Sequence, residues 1–101
     1  MKKIINIAKD FSIFPGGRFK KDNKYSAEEF REQILIPQLK QHTKIMLELD
    51  GTRGYSSCFL EEVFGGLVRC GYTKQFIREN IILISSRKSL IREIQSYIQQ
   101  E

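Results

Sequence analysis

Two serine-bearing junctions and one glycine-rich turn hold most of the residues in this 101-residue chain whose types and spacing suggest chemistry. Tyr55-Ser56-Ser57-Cys58 closes a loop after one apolar segment and opens an amphipathic one, and Ser85-Ser86-Arg87-Lys88 does the same near the C-terminus. A helix N-terminus carries unpaired amides and a partial positive charge, so each junction suits an anion or a phosphorylated side chain. The simpler alternative is that Ser57, and Ser85 or Ser86, only cap their helices. Pro15-Gly16-Gly17-Arg18 offers a third anion site, because successive glycines let amides turn inward beside the Arg18 charge. An ordinary turn with an exposed arginine is the alternative there. Arg18, Ser86 and Arg87 are the candidate anion-binding residues.

Catalytic pairings are poorly represented. His42 stands alone at the expected solvated end of a helix, with no Ser or Cys placed beside it, and Cys58 has no evident base. Glu61 and Glu62 are neighbours on a helix and point about 100° apart, so they do not bracket one substrate as an acid/base pair. A Walker phosphate loop and a dinucleotide fingerprint are absent from the sequence. Neither an enzyme nor a cofactor is expected.

Gly65-Gly66 falls inside a helical pattern, where each glycine costs roughly 0.8–1.0 kcal/mol relative to alanine. Something should offset that cost. Projected at about 100° per residue, the apolar stripe centres near Val63 and Leu67. Cys58, Glu62, Gly65 and Arg69 fall opposite it, flanked by Gly66 and Glu61. This predicts a bare groove between an acid and a base where a partner helix or loop docks. The competing reading is packing against the chain's own first helix or a terminus.

The elements that must position these residues follow from composition and periodicity. A chain of 101 residues, 41% hydrophobic, has room for one core, so residues 1–101 form a single domain. Two cysteines and one histidine all but exclude a structural zinc site or a disulfide scaffold. On one helix, Cys58 and Cys70 would stand roughly 18 Å apart, well beyond disulfide reach. No segment approaches the apolar length of a membrane span, and the Met1-Lys2-Lys3 start is broken by Asn6, Lys9 and Asp10, so a cytoplasmic protein with reduced thiols is expected. The net charge of +5 is spread along the chain, ten basic against seven acidic residues up to Asp50 and seven against five after it. Nucleic-acid binders concentrate such charge on one stripe, so that class is disfavoured.

Ile4, Ile5 and Ile7 suit a first strand over Lys3–Ala8, and Pro15-Gly16-Gly17 followed by Arg18-Phe19-Lys20 suggests an edge hairpin. Ser26-Ala27-Glu28-Glu29 is a capping-box pattern ahead of a helix over residues 27–41, in which Pro37 should force a change of pitch near Leu35. Lys44–Leu49 reads as a central strand and Ser57–Arg69 as a wide-striped helix. Asn80–Ile84 reads as a buried strand, followed by a last helix carrying Leu90, Ile91, Ile94, Tyr97 and Ile98. The order predicts an open α/β sandwich: a mixed, partly parallel sheet of about four strands packed with three helices. The open sheet edge and small core favour a homodimer.

Pro15-Gly16-Gly17-Arg18, Ser26 with Phe30-Arg31-Glu32, Ile36-Pro37-x-Leu39, Leu49-Asp50-Gly51 and the block from Gly54 to Arg69 together resemble the STAS-like domain family of unknown function. The resemblance covers nearly the whole chain, and the long block through the second helix is its specific part. It implies the fold of the STAS anti-sigma-factor antagonists, which are not enzymes. They bind a histidine-kinase-like ATPase that phosphorylates a serine where the central strand meets the next helix. By that resemblance Ser57, then Ser56, are the phosphoacceptor candidates. The Asp-Ser-Ser-Gly pattern of true antagonists is missing, and Cys58 stands where the STAS-like pattern usually has serine. Cys58, Glu61, Glu62, Gly65, Gly66 and Arg69 are the candidate partner-binding residues. The expected function is a regulatory protein-binding module; the alternative is a small-anion or nucleotide sensor.

Overall fold

Three short segments built around runs of aliphatic residues, Ile4-Ile5, Ile45-Met46-Leu47 and Ile81-Ile82-Leu83-Ile84, form the sheet. A computed structural model describes residues 2–41 and 44–101. Strands β1 (Lys2–Asn6), β2 (Lys44–Glu48) and β3 (Ile81–Ile84) are parallel, in the order β1-β2-β3. Register aligns Ile4 with Met46 and Met46 with Ile82, and Ile5 with Leu47 and Leu47 with Leu83. The sheet therefore has three parallel strands among the described residues, where about four mixed strands were expected.

The missing strand is the second arm of the expected hairpin. Residues 18–20 form a bend and a turn, and their backbone bonds go elsewhere: the Ala27 and Glu28 amides donate to the carbonyls of Gly17 and Arg18. Those are orphan donors of a helix start, so the loop is tied to the helix rather than to the sheet. β1 also ends earlier than expected. The Asn6 side chain accepts from the Lys9 amide and starts a single turn, α1 (Ile7–Asp10).

Helix α2 spans residues 27–40: Ala27–Phe30, a π turn over Arg31–Leu35, then Ile36–Lys40 with Pro37 in its first turn. Ser26 caps it by accepting from the Glu29 amide. The change of pitch expected near Leu35 is this π turn. Helix α3, residues 57–69, repeats the design with Ser57–Leu60, a π turn over Glu61–Gly65, and Gly66–Arg69. Then come α4 (Lys74–Asn80), capped by Thr73 and not anticipated from the sequence, and α5 (Lys88–Gln99). His42 lies outside the described residues.

The π turns explain the spacing of buried residues. Phe59, Val63 and Leu67 recur every fourth residue and are fully buried, as do Ala27, Leu35 and Leu39 with Arg31 between them. A four-residue step on a 3.6-residue helix drifts by about 40° each time. A π turn holds more residues per turn and restores the alignment.

Right-handed crossovers are the rule between parallel strands, and two that step the same way put both connections on one face. Burial agrees: Ile5, Ile45, Leu47 and Ile81 are buried under the helices. Phe30 and Phe59 fill the layer between α2 and α3, with Phe11 at centroid distances of 5.2 and 6.3 Å.

Candidate functional site at the carboxyl rim of the sheet

The loops after β1 and β2 meet at the carboxyl ends of the strands. Tyr55 anchors the second loop: its hydroxyl donates to the Leu49 carbonyl at 2.7 Å and its ring stacks on Phe59. Burial pushes the Tyr55 phenol up to about 12. Ser56, not Ser57, is the N-cap, accepting from the Phe59 amide at 3.0 Å. Ser57 and Cys58 follow on the first turn of α3, both exposed.

The first loop supplies residues that sequence reasoning missed. The Arg53 amide donates to the Ile13 carbonyl at 2.7 Å, and the Arg53 guanidinium lies 5.4 Å from the Phe14 ring centroid. Phe14 is 60% exposed and Ile13 44%. Phe and Ile beside a Pro-Gly-Gly turn were the only hint, since large apolar residues in a tip have no fold to serve.

The glycine notch is not a groove. Gly65 and Gly66 are both buried, and this overturns the expected docking site. A Cβ at Gly66 would overlap the Arg31 guanidinium, which comes from α2. A Cβ at Gly65 would meet Glu61, Arg69 and the C-terminal Glu101. Of the two offsets anticipated for the glycines, packing against the first helix and a terminus is the one present. Glu62 is buried as well, leaving Cys58 and Arg69 exposed and Glu61 partly so.

What fills the notch is a charge network. Arg31 Nη1 donates to Glu62 Oε2 at 2.9 Å and to the Glu62 carbonyl at 2.6 Å. That carbonyl is available because the Gly66 amide reaches the carbonyls of Glu61 and Val63 and bypasses Glu62. Around this buried pair, Arg18 bonds Glu61 and approaches Glu62, while Arg69 bonds Glu61 and Glu101 at 2.8 and 2.9 Å. The Arg69 bond, then that of Arg18, holds the Glu61 carboxyl below its usual range. The Glu61 bond raises Arg69 in turn.

The anion sites are likewise filled from within. Arg18 is engaged by Glu61 and Glu62, and Gly16 and Gly17 pack on Lys24 and Asn23. At the second junction the Asp50 carboxylate takes the Ser86 amide at 3.1 Å and both serine hydroxyls at 3.2 Å. The Ser85 hydroxyl accepts from the Arg87 amide, and Arg87 is exposed at the N-cap position of α5. The structure thus supplies its own anion at Ser86 and corrects the expectation of an open site there. A cavity of about 550 Å³ opens between α4, α5 and β3, and none of its lining residues belongs to the rim.

Three parallel strands, helices over one face and a serine at the junction of the central strand with its helix define an α/β domain of STAS-like type. The model of the family described as the STAS-like domain of unknown function matches residues 26–90, more than half of the chain, and the chain belongs to that family. Neither a curated protein nor a solved structure matches it. No helix among the described residues is long and apolar enough to cross a membrane.

Proposed function

We propose that this chain is a non-catalytic, cytoplasmic regulatory module that binds another protein through the carboxyl rim of its sheet, with Ser57 as the residue whose modification switches the contact. The observation that carries this reading is the exposed Ile13-Phe14 pair beside Arg53, on the same rim as the exposed Ser57 and Cys58. Exposed aromatic and arginine side chains are the usual anchors of protein interfaces. The alternative of a small-anion sensor loses support, because Arg18 and Ser86 already have carboxylate partners within the chain.

The partner that likeness to the STAS anti-sigma-factor antagonists suggests is an ATPase of the histidine-kinase type. A phosphate on Ser57 would add about −1.5 to −2 charge to this rim, altering its complementarity. The test uses such an ATPase from the same genome, purified and mixed with this chain. Size-exclusion chromatography should show a complex that Phe14→Asp abolishes. Incubation with ATP should place phosphate on Ser57 by mass spectrometry and release the complex. An undisturbed complex with Phe14→Asp would move the interface elsewhere, and phosphate confined to other residues would remove Ser57 from the switch.

A further inference from the structure

The strand order leaves one sheet face without a layer. Both crossovers put their helices on the side of Ile5, Leu47 and Ile81, so the other side carries Ile4, Met46 and Ile82 in one hydrogen-bonded row. Ile4 is 58% exposed and Ile82 41%. Parallel sheets occur almost always with both faces covered, so a bare aliphatic row on one is an unfinished core.

The rows on either side of the apolar one say what covers it. Lys2 pairs in register with Lys44 at the amino end, while Asn6 and Glu48 pair at the carboxyl end, with Ile84 beside them. Lys2 and Lys44 form no ion pair among the described residues, and Glu48 receives only the Asn6 amide group at 3.3 Å. The face is therefore basic at one end, apolar in the middle and acidic at the other. Lys44 and Glu48, four residues apart, are separated by about 13 Å along β2.

We infer that this face binds a second copy of the chain in a twofold face-to-face dimer, with the axis lying along the Ile4-Met46-Ile82 row. That axis runs the two sheets antiparallel, stacks Met46 on Met46, and sets Lys44 of each copy against Glu48 of the other. An isologous contact must be self-complementary, and this charge order is. Three strands of this length give a footprint of roughly 240 Å² per copy, so the contact is small and the dimer forms only at high protein concentration. The rims of the two copies stay uncovered and point in opposite directions.

Sedimentation equilibrium at physiological ionic strength tests this. The intact chain should show a monomer–dimer equilibrium with a mass doubling from 11.9 kDa. Met46→Lys should raise the dissociation constant by about tenfold or more, with an unchanged far-ultraviolet spectrum showing that the fold is retained. Lys44→Glu and Glu48→Lys should each associate less than the parent, because each sets like charges against one another. Mixed together, those two variants should form a heterodimer in which every facing pair is opposite in sign. A chain that stays monomeric to hundreds of micromolar overturns the inference. So does a dimer unaffected by Met46→Lys, or a mixture of the charge variants that associates no better than either alone.

Discussion

The guanidinium of Arg31 occupies the volume that any side chain at position 66 would need, and it holds that position by bonding the Glu62 carbonyl and carboxylate. One glycine on α3 is thus the counterpart of one arginine on α2. Gly66 has an ordinary helical φ of −61°, so its role is space rather than backbone freedom.

Gly66→Ala should therefore destabilise the protein by about 1–3 kcal/mol despite alanine's better helix propensity. Gly65→Ala should cost less, because its Cβ meets the ends of Glu61, Arg69 and Glu101, flexible and partly exposed side chains that can shift together. Urea denaturation of the two variants checks the contrast. Equal losses would mean that Arg31 is not the obstacle.

The buried pair gives a second test. Arg31→Met alone removes the donor to Glu62 Oε2 and to the Glu62 carbonyl, leaving Oε1 with Arg18 and Arg69 at 3.4 Å, and should cost about 1–3 kcal/mol. Arg31→Met combined with Glu62→Met should recover most of that loss. A double-mutant cycle measures the coupling, and strict additivity would show that the two side chains do not depend on each other.

Stability should fall at both pH extremes for identifiable reasons. The Glu61 carboxyl titrates below its ordinary value of 4.5 in the folded chain, so its contribution is full above that value and fades as pH drops through the folded value. The Tyr55 phenol is raised from 10.0 to about 12, so its contribution is full below pH 10 and lost between 10 and 12. Melting temperature against pH should show both slopes. Tyr55→Phe should flatten the alkaline one and Glu61→Gln the acid one.

Asp50 makes the Ser85-Ser86 junction an occupied anion site. Asp50→Ala should lower stability by about 1 kcal/mol, and millimolar inorganic phosphate should restore part of it in the variant while leaving the parent unmoved. Differential scanning fluorimetry reads both effects. A parent stabilised by phosphate would reopen the anion-sensing reading.

Much of this frame was legible before any coordinates. Ser26 and Glu29 announced the start of α2, and Pro37 announced an irregularity that appears as the π turn just before it. The four-residue spacing of Phe59, Val63 and Leu67 spreads over only about 80° on a regular α-helix, an ordinary apolar stripe, so the second π turn was not legible from it. Helix α4 escaped notice since its apolar residues Phe76 and Ile77 are adjacent and show no period. The hairpin was misread because Pro-Gly-Gly reads as a strand-to-strand turn. In fact the loop closes through the Gly16 amide on the Tyr25 carbonyl, with the Phe11 ring edge-on to Tyr25. The filling of the notch was beyond local pattern: Arg31 and Gly66 lie 35 positions apart, and only the packing of α2 on α3 joins them.

The wide turns in α2 and α3 behave as one surplus residue in each helix, set at the same height so that Arg31 and Glu62 face one another. Deleting a single residue from 61–65 would let α3 relax to an ordinary pitch, with Leu67 then seven positions after Phe59 and within about 20° of its inward direction. The carbonyl that the wide turn frees for Arg31 would return to the helix ladder, and the arginine would lose that acceptor. Length, in these two helices, is as constrained as residue type.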